Sequence, residues 1–167
     1  MEAHISKSNS PGGGHDGSPT LPTLAWGEGY GHFVSALLRD TPLYVDRNES
    51  GQVRFRIDQD VLAQLEHPRQ MQQPVSEYTV SGILWAMAKR YVGSQRIFQG
   101  MYEGLRIQET NRGVPGVDLV DFLDALYCLD FEIQTGVRDL VRGGYQFPYL
   151  TFEGECGEQS PNNTQEQ

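Results

Sequence analysis

Signatures of catalysis and metal binding are what this sequence has least of. It holds two cysteines and four histidines, at 4, 15, 32 and 67, with no Cys-x-x-Cys or His-x-x-x-His pair. Zinc needs several such donors converging on one point, so no metal and no cofactor is expected. No Gly-x-Ser-x-Gly elbow presents a nucleophilic serine. No apolar run approaches the roughly 20 residues that span a bilayer. Met1-Glu2-Ala3-His4 leads into a glycine-rich stretch rather than an apolar one, so no secretory signal is expected. Two cysteines are too few for a secreted disulfide scaffold. A cytoplasmic protein without a membrane partner is the expectation, and the formal sequons at Asn48 and Asn162 then carry no weight.

Positive charge is scarce as well. Lys and Arg number 13 against 22 Asp and Glu, a net charge of −9. A protein that binds nucleic acid over its whole surface should be basic, and this one is acidic. Only the middle of the chain runs the other way, with Lys89, Arg90, Arg96, Arg106 and Arg112 against Glu77, Glu103 and Glu109.

Apolar side chains are missing from both ends. Residues 6–23 are almost entirely Gly, Ser, Pro, Asn, Thr, His, Asp and Lys, and residues 154–167 hold no aliphatic or aromatic side chain. Such segments bury too little to offset about 1–2 kcal/mol of backbone entropy per ordered residue. A disordered leader over 1–23 and an acidic disordered tail over 153–167 are expected, leaving one domain at 24–152. That length can bury a core without disulfides or metal.

Within the domain the periodicity is mostly helical. After the glycines at 27, 29 and 31, residues 32–38 predict a short helix that stops before Pro42. Residues 43–57 predict a hairpin: Val53, Phe55 and Ile57 alternate with Arg54 and Arg56, beyond turn residues Asn48-Glu49-Ser50-Gly51. Asp58 can cap a short helix containing Val61, Leu62 and Leu65, and residues 66–74 read as a loop. Val80, Ile83, Leu84, Met87 and Tyr91 lie on one helical face. Gly93-Ser94 breaks that helix, Ser94 can cap the next, and Ile97, Phe98, Met101 and Leu105 continue the pattern. Beyond a turn at 111–116, apolar positions from Leu119 to Val141 predict a last long helix, stopped by Gly143-Gly144. The fold class expected is mainly α: a bundle of about four to five helices with one inserted β-hairpin.

Several residue sets invite chemistry. Gly12-x-Gly14-x-x-Gly17 has dinucleotide spacing but follows no strand, and Gly27-x-Gly29-x-Gly31 reads as a turning entry to a helix rather than a phosphate loop. Asp118, Asp121, Asp124 and Asp130 could pair as acid and base or hold magnesium. A solvated helix face complementing the backbone dipole explains them more simply. Cys128 reads as a packed small hydrophobe, and His32 and His67 as surface or partly buried side chains.

Two features point to partners instead. Tyr145, Phe147, Tyr149, Leu150 and Phe152 form an aromatic arm, either folded back on the core or docked into a neighbouring molecule. Arg90, Arg96, Arg106 and Arg112, interleaved with Tyr91, Phe98 and Tyr102, resemble in composition a surface for phosphates and bases. The function expected is a non-catalytic protein-interaction or self-assembly module with a protein partner or a second copy. A structural subunit of a viral or phage particle, contacting nucleic acid through the 89–112 face, is the alternative. A small enzyme using Cys128, His32, His67 and the aspartates ranks third.

Overall fold

The computed structural model describes residues 16–61, 68–105, 112–129 and 134–149. It is mainly α with one inserted hairpin, as expected. Helix α1 spans Pro22–Leu38, strands β1 and β2 span Leu43–Arg47 and Val53–Asp58, and α2 spans Glu77–Arg90. Helix α3, Gly93–Gln99, continues into a π-helical turn at Gly100–Gly104. Helix α4 spans Leu119–Leu129, and α5, Gln134–Asp139, continues into a second π-helical turn at Leu140–Gly144.

The first departure from expectation is α1. It begins at Pro22, inside the stretch expected as leader, and runs straight through the three glycines. Proline suits the first helical position because its missing N–H has no partner there anyway. Each interior glycine costs about 1 kcal/mol relative to alanine. Full burial of Trp26 and Phe33 outweighs that, at about 1.5–3 kcal/mol for a large apolar side chain. Gly29 also has a steric reason to be there. A Cβ on it would lie 2.7 Å from both the Glu77 carbonyl oxygen and Val80 Cβ, so α1 and α2 cross here with backbone nearly in contact. Upstream, Thr20 and Val75 exchange backbone hydrogen bonds of 3.0 and 2.9 Å, tying the entry of α1 to the entry of α2.

The hairpin pairs Tyr44 with Ile57, Val45 with Arg56 and Asp46 with Phe55, then carries a bulge between Asp46 and Arg47. Two strands alone are marginal. This pair is held by its inner face, where Ile57 is buried and Tyr44 and Phe55 pack against His32 of α1. The short helix expected after Asp58 falls largely on residues outside those described.

Helix α2 is the centre of the core, with Val80, Ile83, Leu84 and Met87 fully buried. Ser76 caps it, accepting the Tyr78 N–H at 3.1 Å. The Met87 carbonyl closes it by accepting from both Tyr91 and Val92. Gly93, at φ +75°, then redirects the chain into α3 as expected, although Ser94 is not its cap. The expected last long helix is described as α4 and α5, with residues 130–133 between them outside the description. Phe122 of α4 stacks on Trp26 at 5.1 Å.

Replacing Gly29 by alanine sets helix propensity against packing. Propensity favours alanine by about 1 kcal/mol, while overpacking a closed helix crossing costs about 1–3 kcal/mol. Gly29→Ala is expected to lower the midpoint of chemical denaturation. At Gly31, where an added Cβ meets nothing within 4 Å, alanine should raise it.

Candidate functional site

The strongest concentration of polar chemistry lies at the start of α4. Asp118, Asp121 and Asp124 are 0–1% exposed, which overturns the expectation of a solvated face. The row drifts around the helix, but at this end α4 is enclosed on every side, so drifting does not bring it to water. What keeps each carboxylate inside is a set of fixed donors. Asp118 is the N-cap: its Oδ1 accepts the Val120 and Asp121 N–H groups at 2.8 and 3.3 Å, and its Oδ2 accepts the Val114 N–H at 2.9 Å. Asp121 Oδ2 reaches back to the Asp118 N–H at 3.0 Å, which completes a reciprocal capping box. Gly113 is obligatory beside it, since a Cβ there would collide with the Asp118 carboxylate.

Asp124 has a different role. Its Oδ1 accepts the Tyr149 hydroxyl at 2.7 Å, and its Oδ2 lies 3.1 Å from Arg112 Nε. The Arg112 guanidinium also stacks over the Tyr149 ring at 5.1 Å. The Arg112 carbonyl accepts from Gln72 Nε2 at 3.2 Å. One arginine thereby joins the loop before α2, the turn before α4 and the C-terminal arm.

Burial pushes the Asp121 carboxyl up to about 8, and the neighbouring Asp118 carboxylate adds to the rise. Asp118 is raised too, by burial first, against the pull of its three backbone donors and Arg112. A carboxyl that titrates near 8 could trade protons at neutral pH, but Asp121 is 0% exposed, with no face open to solvent. Among the described residues no group of three or more His, Cys, Asp or Glu is arranged to hold a metal ion.

A second polar cluster seals the hairpin to the helices. His32, expected at or near the surface, is only 5% exposed, its ring 4.4 Å from Tyr44 and 6.2 Å from Tyr78. Its carbonyl accepts from the buried Gln59 side chain at 3.1 Å. Burial, then the charge of the buried Glu77, holds the Tyr78 hydroxyl up at about 12.

Comparison with protein families, curated proteins and solved structures finds no match for this chain.

The partner-contact residues expected from sequence are placed as follows. Tyr145, Phe147 and Tyr149 are 5%, 2% and 5% exposed and belong to the protein's own core, with Leu150 and Phe152 outside the described residues. The arm folds back because Tyr149 finds Asp124 and Arg112 inside. Its aromatic faces are therefore not on offer to a neighbour. Of the basic set, Arg90 is exposed, Arg96 is half-buried with its guanidinium on Gln99 at 3.0 Å, and Arg112 is turned inward. Arg106 lies outside the described residues, as do His67 and Asp130, so the described arginines do not share one outward face. Cys128, expected as a packed thiol, is half-buried and disulfide-bonded, so it is no nucleophile; Cys156, the chain's other cysteine, lies outside the described residues.

The feature that sequence reasoning missed is an open groove of about 440 Å³ along α3 and the π-helical turn after it. Ser94, Gln95, Phe98, Gln99, Tyr102 and Glu103 line it. Tyr91 and Tyr102, 50% and 41% exposed, are large aromatic side chains left at the surface of this segment. The interleaving of Tyr91, Phe98 and Tyr102 was visible in the sequence, but it attached to the arginines rather than to a groove.

Two stability predictions follow from the aspartates. Removing one partner of a buried pair leaves a charge uncompensated, at about 3–5 kcal/mol. Asp124→Ala, which takes the carboxylate away from Arg112 and the Tyr149 hydroxyl, is expected to cost that much in urea denaturation. The raised Asp121 value means the folded state favours the protonated carboxyl. The stability this supplies is complete below the unfolded value of about 4 and is lost as pH rises through about 8. Asp121→Asn keeps an acceptor for the Asp118 N–H. It should flatten the decline in stability between pH 5 and 8, and an unchanged slope would place the titration elsewhere.

Proposed function

We propose that this chain is a non-catalytic protein-interaction or self-assembly module, and that it makes contact through the groove on α3. The observation that carries the reading is the groove itself, which sets Phe98 and Tyr102 among polar side chains on an open face. Aromatic side chains surrounded by polar ones are the usual anatomy of a contact surface, the aromatics supplying area and the rim excluding water. The fate of the ionisable groups supports the same reading. Asp118 and Asp121 serve as a helix cap, and Asp124, Arg112 and Tyr149 lock the chain's own C-terminal arm.

Among the described residues no helix is long and apolar enough to cross a membrane. A cytoplasmic or virion setting belongs to the same proposal. The bridge at Cys128 weighs against the cytoplasm and not against a virion, because disulfides persist in oxidising compartments and at virion surfaces.

Self-association is the form to test first, by size-exclusion chromatography with light scattering over a range of protein concentrations. The wild type is expected to form a dimer or larger species. Tyr102→Glu, a change at an exposed position, should shift it to monomer without altering its circular dichroism. A wild type that stays monomeric throughout, or an assembly indifferent to Tyr102→Glu, overturns self-assembly through this groove.

A further inference from the structure

Each outer edge of the hairpin has one open backbone position, and the two differ in the side chains beside it. Gln59 N–H donates to the Pro42 carbonyl at 3.0 Å, which makes Pro42–Gln59 a hydrogen-bonded position of the ladder. Antiparallel ladders alternate, so Tyr44–Ile57 and Asp46–Phe55 are bonded pairs, while Leu43–Asp58 and Val45–Arg56 turn their backbone groups outward. On the β1 edge nothing among the described residues bonds the outward groups of Val45, but those of Leu43 are occupied. Its N–H donates to Thr41 Oγ1 at 3.3 Å, and its carbonyl accepts from Arg39 Nη2 at 3.2 Å. On the β2 edge, the Asp58 carbonyl accepts from Val61 at 3.2 Å, but nothing among the described residues bonds the outward N–H and carbonyl of Arg56.

The side chains beside that open edge are cationic. Arg54 and Arg56 are exposed and form no ion pair among the described residues, Arg54 as the extra residue of the bulge, without a cross-strand partner in β1. The nearest carboxylate along the strand, Asp58, is engaged in accepting the Asp60 N–H at 3.1 Å. Free edges invite further strands, and proteins commonly guard them with charge. Here the charge also selects. A second copy of β2 in antiparallel pairing would set arginine against arginine, and like charges directly opposite are unfavourable.

We propose that the β2 edge of the hairpin binds an extended acidic segment of a partner protein, with carboxylates two residues apart, as a third strand. Main-chain bonds at Arg56 give the docking its register, and Arg54 and Arg56 pair with the alternate carboxylates. The proposal rests on the protein-contact reading above but uses a different surface.

The test is hydrogen exchange by NMR on the full chain, with a synthetic peptide that alternates glutamate and threonine. The peptide is expected to slow exchange of the Arg56 amide, while the same peptide with lysine for glutamate does nothing. Arg54→Glu/Arg56→Glu replaces two attractive cross-strand pairs by repulsive ones, so affinity for the glutamate peptide should fall about tenfold or more. The same variant should acquire affinity for the lysine peptide. N-methylation of alternate peptide amides should abolish binding if strand pairing, rather than charge alone, holds the complex. Equal binding by the charge-reversed variant, binding without protection at Arg56, or a duplex oligonucleotide outcompeting the peptide would each overturn the proposal. Tyr102→Glu should leave peptide binding unchanged, so failure of the groove and failure of the edge are read separately.

Discussion

A carboxylate taken out of water must be met by donors already fixed in place, and α4 begins with three of them. Much of the tertiary structure follows from how that demand is met. Asp118 draws the 113–118 turn onto the helix end, and Asp121 closes the box from inside. Asp124 fixes Arg112 and Tyr149, and through them the loop before α2 and the C-terminal arm. Three segments far apart in sequence are thereby held against one helix end. The raised Asp121 value is the electrostatic counterpart of the crowding.

The other organising contact is the crossing of α1 and α2. Gly29 removes the Cβ that would separate them, and Trp26 and Phe33 then reach α4 and α3 across the gap. The hairpin sits on the outside of this crossing, attached by one aromatic face around His32. Its other face and its β2 edge are left to solvent because no helix lies beyond them among the described residues. The groove on α3 arises similarly. Past Gly93 the chain changes direction, and Phe98 packs against the core from one side while the other side stays open.

Residues with a strong local signal were legible from the start. Alternation at 53–57, three-and-four spacing at 80–91, the break at Gly93 and the apolar positions from Leu119 onward each correspond to an element found in the structure. Misreadings came where a local rule was overridden at a distance. Three glycines argued for a turn, yet they lie in a helix because α2 needs the space at Gly29. Aspartates three apart argued for a wet face, yet they are buried because donors from residues 112–114 and 149 come to meet them. The aromatic arm was legible as a feature, but its direction was not, since that depends on Asp124 being inside.

The sequence by itself determined the class of the protein: mainly helical, with one hairpin, and acidic. Those properties depend on composition and short-range periodicity, which act through neighbouring residues. Only the tertiary structure decided which polar residues are structural and which surfaces stay open. Burial and hydrogen-bond satisfaction are properties of what arrives from elsewhere in the chain, and Arg112 shows it: a surface cation by composition, it became an internal one because Asp124 and Tyr149 converge on it.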